Sequence, residues 1–220
     1  AGEPESKWVP TSDAARGAVP RVAAVRTNDW AELDQAARDA TEGAVETLRR
    51  AGVSVEWIDC PTDIDALLPV HRTIMSREGA DTLAPVRAAH DDRLSSTLRA
   101  YLDEGARVTD DAFEAARTAR RHAIATFATW MRPYDAVVTP AAPGEAPTPE
   151  TTGDPRCQTR WQSVGAPTLC LPCARGPHGL PLAIQIVGQL GADARLLRAA
   201  AWIEARLPHP GRPVLPARNP

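Results

Sequence analysis

The sequence predicts an α/β chain, part of a mixed β-sheet with helices on both faces. Three observations carry this. Two short β-type runs, at 21–27 and 53–58, bracket a segment of helical periodicity. The runs 168–171 and 182–187 flank a Gly-Pro-His-Gly turn, which reads as a hairpin. A long amphipathic segment, 110–132, lies between these two blocks.

In chain order, residues 1–20 hold three Pro and two Gly and are expected to form a linker or extended arm. A strand follows at 21–27. Asn28 or Asp29 then offers an N-cap. Trp30, Leu33, Ala37, Ala40, Ala44 and Leu48 recur at helical spacing as far as Arg50, and Gly52 is placed to stop the helix. With the run at 53–58 this makes a β-α-β unit, for which parallel strands are expected. It lacks G-x-G-x-x-G, so it offers no dinucleotide site.

Residues 63–103 read as mostly helical, with a break at Ala84-Pro85 and a turn at 103–106. Thr109 or Asp110 caps the long helix, which puts Phe113, Ala116, Ile124, Phe127 and Met131 on one face. Arg117, Arg120 and Arg121 lie elsewhere on it, as a solvated face or as an anchor for a substrate carboxylate. Pro133 ends it. A buried-type strand at 136–139 leads into a loop, 140–156, that contains five Pro. A loop that long in a compact domain is usually functional. After the hairpin, Asp193 caps a last helix to about Arg206, with Leu196, Leu197, Ala200 and Ile203 facing inward. The domain is expected to span 21–207, with 208–220 as an extended Pro-rich tail.

Composition excludes several functions. A net charge of −3 gives no electrostatic case for nucleic acid or an anionic membrane. No apolar run approaches the ~20 residues of a bilayer span, and the start AGEPESKW does not resemble a signal peptide. A cytoplasmic protein is expected. Cys60, Cys157, Cys170 and Cys173 are too few and too irregular for a disulfide framework. Cys170-Leu-Pro-Cys173 is formally C-x-x-C, but it lies in a strand without companion ligands, so structural thiols are expected and no metal or cofactor. His71, His90, His122, His178 and His209 are scattered, and no G-x-S-x-G elbow accompanies them.

An ordered set of motifs runs from Asp135 to Leu197. It comprises Asp135, Thr139-Pro140, Gly165-Ala166-Pro167, Pro172-Cys173 and Gly179-Leu180-Pro181, then Gln185, Gly188, and Asp193 with Leu196-Leu197. In order and spacing this set resembles the C-terminal portion of the amidase signature family, serine hydrolases of C–N bonds. Thr152-Gly-Asp-Pro155 followed by Trp161 resembles one bacterial branch of stand-alone amidases. The resemblance implies the C-terminal portion of an amidase signature fold. Gly165 is expected to permit a close backbone approach. Pro172 belongs at a strand end or bulge. Gln185 must find partners in its apolar strand.

The family's chemistry uses a Ser nucleophile, a second Ser, a Lys and a Gly-rich oxyanion loop. No Gly-Gly-Ser-Ser-Gly-Gly stretch is present here. Of 25 Lys and Arg residues only Lys7 is a lysine, in the N-terminal arm. Ser95-Ser96 is the one adjacent Ser pair, without Gly nearby, and reads as a helix-surface pair. No catalytic residue is therefore assigned within this chain. The chain starts with Ala rather than Met and is expected to be processed, truncated or excerpted. Its partners would be a small-molecule amide substrate and the missing N-terminal catalytic half or a separate catalytic subunit. The sheet edge left by that half is expected to be apolar and prone to association.

The resemblance also places the loop after Thr-Pro, and the segment before Gly165, over the active-site cleft. That carries onto Asp154, Gln158, Trp161 and Gln162 as substrate-binding residues. Gln158 and Gln162 would hydrogen-bond an amide or acyl group. Trp161 either walls an apolar pocket or is buried as a plug. Two other readings stand beside the amidase. One is a non-catalytic scaffold or binding relative. The other is the A-type subunit of an amidotransferase, which delivers ammonia to aminoacyl-tRNA.

Overall fold

A computed structural model describes residues 17–211. The expected arm at 1–20 and tail at 208–220 lie largely outside those residues. Among the described residues, five strands form one mixed sheet in the order β2-β1-β3-β5-β4. The strands are β1 (Val22–Arg26), β2 (Glu56–Asp59), β3 (Ala136–Pro140), β4 (Thr168–Arg175) and β5 (Pro181–Val187). The helices are α1 (Gln35–Arg50), α2 (Thr62–Asp65), α3 (Leu67–His90), α4 (Ser96–Ala106), α5 (Asp110–Trp130), α6 (Arg156–Val164) and α7 (Asp193–Glu204). The expected β-α-β unit is present, with β1 parallel to β2 and to β3. The expected hairpin is present too, with β5 antiparallel to both β3 and β4.

Central strands buried on both sides need apolar residues at every position, and Val22 to Val25 and Ala136 to Val138 supply them. Alternate residues then feed two cores. Val22, Ala24, Val138, Ile184 and Ile186 meet α1 and α7 on one face. Ala23, Val25, Val137 and Val187 meet α2, α3, α5 and α6 on the other. The second face is the one that carries the candidate site. Pro172 lies beside a register shift in β4, an edge strand, where its missing N–H costs no ladder bond.

Several expectations need correcting. The segment starting at Trp30 opens as a 3-10 turn, Trp30–Glu32, and the α-helix begins only at Gln35. Asp29 does not cap it, because its carboxylate is held elsewhere. Pro85 does not break α3, which continues to His90. Arg87 holds that last stretch, with Asp91 just past the end of α3 and with Asp103 on α4. The break falls instead at Asp91–Arg93, and 103–106 is the last turn of α4. Ser95 caps α4 by accepting from the Leu98 N–H. Thr109 caps α5 in the same way from Ala112, as expected.

The free edges are guarded rather than bare and apolar. β2 ends in Glu56 and Asp59, and the Arg26 guanidinium lies 4.5 Å from the Trp57 ring. β4 has Pro172, a bulge and Arg175. Gln185 is buried between Thr139 and Cys170, and its Oε1 finds no partner among the described residues. The long loop after β3 is pinned at Glu145. Its carboxylate accepts from the backbone of Leu180 at 2.9 Å and is 2.7 Å from the His178 ring.

α3 and α4 approach at Gly105. A Cβ there would sit 1.9 Å from the Ser76 carbonyl oxygen. Backbone cannot move aside as a side chain can, so Gly105→Ala is expected to cost about 1–3 kcal/mol or more. Urea unfolding measures this, and an unchanged midpoint would refute the packing described.

Candidate functional site

Directly after the expected loop at 140–156, the chain forms helix α6, Arg156–Val164. Its buried positions include 157, 160, 161 and 164, a helical stripe that contains an arginine. Gly165 ends it at φ 78°, the left-handed conformation that glycine adopts without strain. A Cβ at Gly165 would meet nothing within 4 Å. The glycine therefore serves the turn, not the close approach expected from the sequence.

Trp161 is fully buried. Its ring stacks on Trp130 at 6.3 Å and 6° and tilts against Phe127 at 6.3 Å. Of the two readings left open, this geometry is that of the plug. Gln158 points back to the chain and donates to the Ala141 carbonyl. Asp154 holds Arg156, 2.7 Å from its Nε, and Arg156 also reaches Glu32. Of the four expected residues, Gln162 lines the cavity between α3, α4, α5 and α6.

Beneath α6 lies a buried ionic group. Arg160, 1% exposed, donates from both terminal nitrogens to Asp29 at 3.1 Å. Its Nε is 3.6 Å from Asp65 on α2. Burial works to raise the pKa of Asp29, but hydrogen bonds from Arg160 and Thr27 and the charge of Arg160 hold it below the usual carboxylate range. For Asp65 burial outweighs the attraction of Arg160, and its pKa is raised. Arg160 thus ties α6 to the end of β1 and to α2.

The cavity has a volume of about 570 Å³. α3 lines it with His71, Ile74, Met75, Glu78 and Thr82, and Tyr101, Arg120 and Gln162 come from α4, α5 and α6. Arg120 donates its Nε to the Ser163 carbonyl at 2.6 Å. The other two arginines of the expected cluster are engaged on their own helix, Arg117 with Glu114 and Arg121 with Thr118. His71 has a lowered pKa, chiefly from burial and then from the Arg120 charge. His71, Glu78 and Tyr101 were not singled out from sequence as site residues. The stripe 71–75–78–82 on α3 was the available signal for His71 and Glu78.

The four cysteines are free. Burial pushes the Cys157 thiol up to about 12 and the Cys173 thiol to about 11, and raises Cys60 as well. Cys170 is exposed. An alkylating reagent is expected to label Cys170 alone in the native chain and all four thiols in urea. Mass spectrometry of the labelled peptides checks this, and rapid labelling of Cys157 or Cys173 would contradict it. Among the described residues no cluster of three or more His, Cys, Asp or Glu is placed to hold a metal ion. No described helix is long and apolar enough to cross a membrane.

A model of the family described as Amidase matches residues 4–197. The chain belongs to the Amidase family. This amidase-family chain is 27% identical over 205 residues to the A-type subunit of the glutamyl-tRNA(Gln) amidotransferase from Acidobacterium capsulatum, covering 79% of this chain and 43% of that one. Solved structures share its fold. One reported as the crystal structure of an amidase superposes with a TM-score of 0.78 at 24% identity, over 87% of this chain and 47% of that one. A 6-aminohexanoate cyclic dimer hydrolase complexed with substrate gives 0.74 at 21% identity, over 96% and 52%. The amidase-family chain therefore spans about half the length of the relatives it matches.

Proposed function

We propose that residues 21–207 are the C-terminal part of an amidase that hydrolyses a linear amide by a Ser-Ser-Lys mechanism. Its nucleophile, base and oxyanion loop lie outside this chain, either in the remainder of a longer protein or in a separate catalytic subunit. The observation that carries the reading is the family match over 4–197 in a sequence whose one lysine is Lys7 and which has no Gly-Ser-Ser-Gly stretch. What this chain contributes is substrate selection, through the cavity between α3, α5 and α6. Arg160 fixes α6, so that Gln162 and the Ser163 carbonyl stand beside Arg120. Asp154 and Gln158 hold the start of α6 through their bonds to Arg156 and the Ala141 carbonyl.

The relative from Acidobacterium capsulatum favours a second reading, an amidotransferase A-type subunit. Ammonia release from a panel of linear amides tests both. The protein that contains the remaining half of the family length is expected to hydrolyse at least one of them, and this chain alone none. Turnover by this chain alone would overturn the proposal. Glutamine-dependent transfer to aminoacyl-tRNA, seen only with partner subunits, would select the second reading.

A further inference from the structure

The cavity beside α6 is lined by two groups of opposite charge that have no counter-ion among the described residues. At one end stands Arg120. Its Nε is fixed by the Ser163 carbonyl, and its two terminal nitrogens have no partner among the described residues. The His71 ring, close enough to feel that charge, and the Gln162 amide also make no side-chain hydrogen bond there. An oriented guanidinium with two idle donors, beside an amide and a neutral imidazole, fits a carboxylate. At the other end stands Glu78, close enough to act on Tyr101. Glu78 has no cationic partner among the described residues, and the arginines of α3 are engaged elsewhere: Arg72 with Glu104, Arg77 with Asp81 and Asp110, and Arg87 with Asp91 and Asp103. Between the ends lie Ile74 and Met75. His71 and Glu78 are two turns apart on α3, so the two ends are separated by roughly 10 Å along the axis.

We propose that this cavity binds a linear aliphatic unit with a carboxylate at one end and a primary ammonium group at the other, an ω-amino acid or an acyl or amine moiety built from one. Arg120, Gln162 and His71 take the carboxylate. Ile74 and Met75 line the methylenes. Glu78 and the Tyr101 hydroxyl take the ammonium. Opposite charges left unpaired at the two ends of an apolar slot are complementary to a zwitterion and reject a ligand with one charged end. The inference rests on the amidase reading for its place in catalysis, since the unit would be the part of the substrate that this chain selects.

Titration calorimetry on the full chain tests it. The probes are unbranched ω-amino acids of four to eight carbons, with the matching monocarboxylates and monoamines. One chain length is expected to bind roughly tenfold or more tighter than either single-ended analogue. Arg120→Gln should weaken amino acids and monocarboxylates about tenfold and leave monoamines unchanged. Glu78→Gln should weaken amino acids and monoamines and leave monocarboxylates unchanged. Glu78 is exposed and makes no ion pair among the described residues, so this second variant keeps the test sharp if loss of Arg120 shifts α6. Absence of binding by every probe, or equal affinity in the wild type and both variants, overturns the proposal. Binding is read without turnover. A bound ω-amino acid with no amide hydrolysis by the longer protein would remove the amidase reading alone, and hydrolysis with no such binding would remove this one alone.

Discussion

Arg160→Met is expected to destabilise the chain by about 3–5 kcal/mol at neutral pH, because it strands Asp29 and Asp65 without their shared cation. Arg160 is 1% exposed, and both carboxylates lie within 4 Å of it, so water cannot take its place cheaply. The pH dependence carries the sign. In the wild type Asp29 has a lowered pKa, so its contribution is present above about pH 4 and is lost as pH falls through the folded value. Asp65 has a raised pKa and works the other way, opposing folding as pH rises through its folded value. In the variant both carboxylates are buried without a cation, so both bind protons more readily folded than unfolded. The deficit against wild type should therefore shrink on going from pH 7 to pH 4.5. Urea unfolding at the two pH values measures it. A deficit under about 1 kcal/mol, or one that grows with acid, would show that the group is not an ion cluster closed to water.

Trp161→Ala is expected to cost a similar amount, about 3–5 kcal/mol, from lost burial and the cavity left behind. The ring has no exposed surface and touches Trp130 and Phe127, which anchor α5 against the sheet. Trp161→Phe should recover part of the loss. A residue that merely walls a solvent-filled pocket would cost far less, so the measurement separates a plug from a wall. An alanine variant with an unchanged unfolding midpoint would restore the substrate-wall reading. Arg160 and Trp161 are neighbours on α6, so the double variant should cost less than the sum.

The hairpin, the β-α-β unit and α5 were legible because each is specified locally, by strand runs, turn residues and a capping Thr within a few positions. α6 was not. Five Pro precede or open it, and its buried stripe includes Arg160, so hydrophobic period alone does not mark a helix. The partner that makes Arg160 tolerable, Asp29, is 131 residues away. For the same reason Asp29 looked like a cap. Pro85 looked like a break because the local rule for proline was applied without the Arg87 contacts that hold the helix beyond it. The motif set from Asp135 to Leu197 was legible as a family resemblance. It placed the substrate residues on α6 and the loop before it, whereas the cavity is made mostly by α3, where polar residues in a helical stripe carry no motif.

The central claim is that the reactive serine lies outside this chain, and a fluorophosphonate tests it most directly by phosphonylating an activated serine irreversibly, with fluoride as the leaving group. Applied to the longer protein, or to this chain mixed with its catalytic partner, the reagent is expected to mark one serine absent from these 220 residues and to leave this chain alone unmodified. Stoichiometric labelling of Ser95, Ser96, Ser163 or any other serine of the isolated chain would contradict the account.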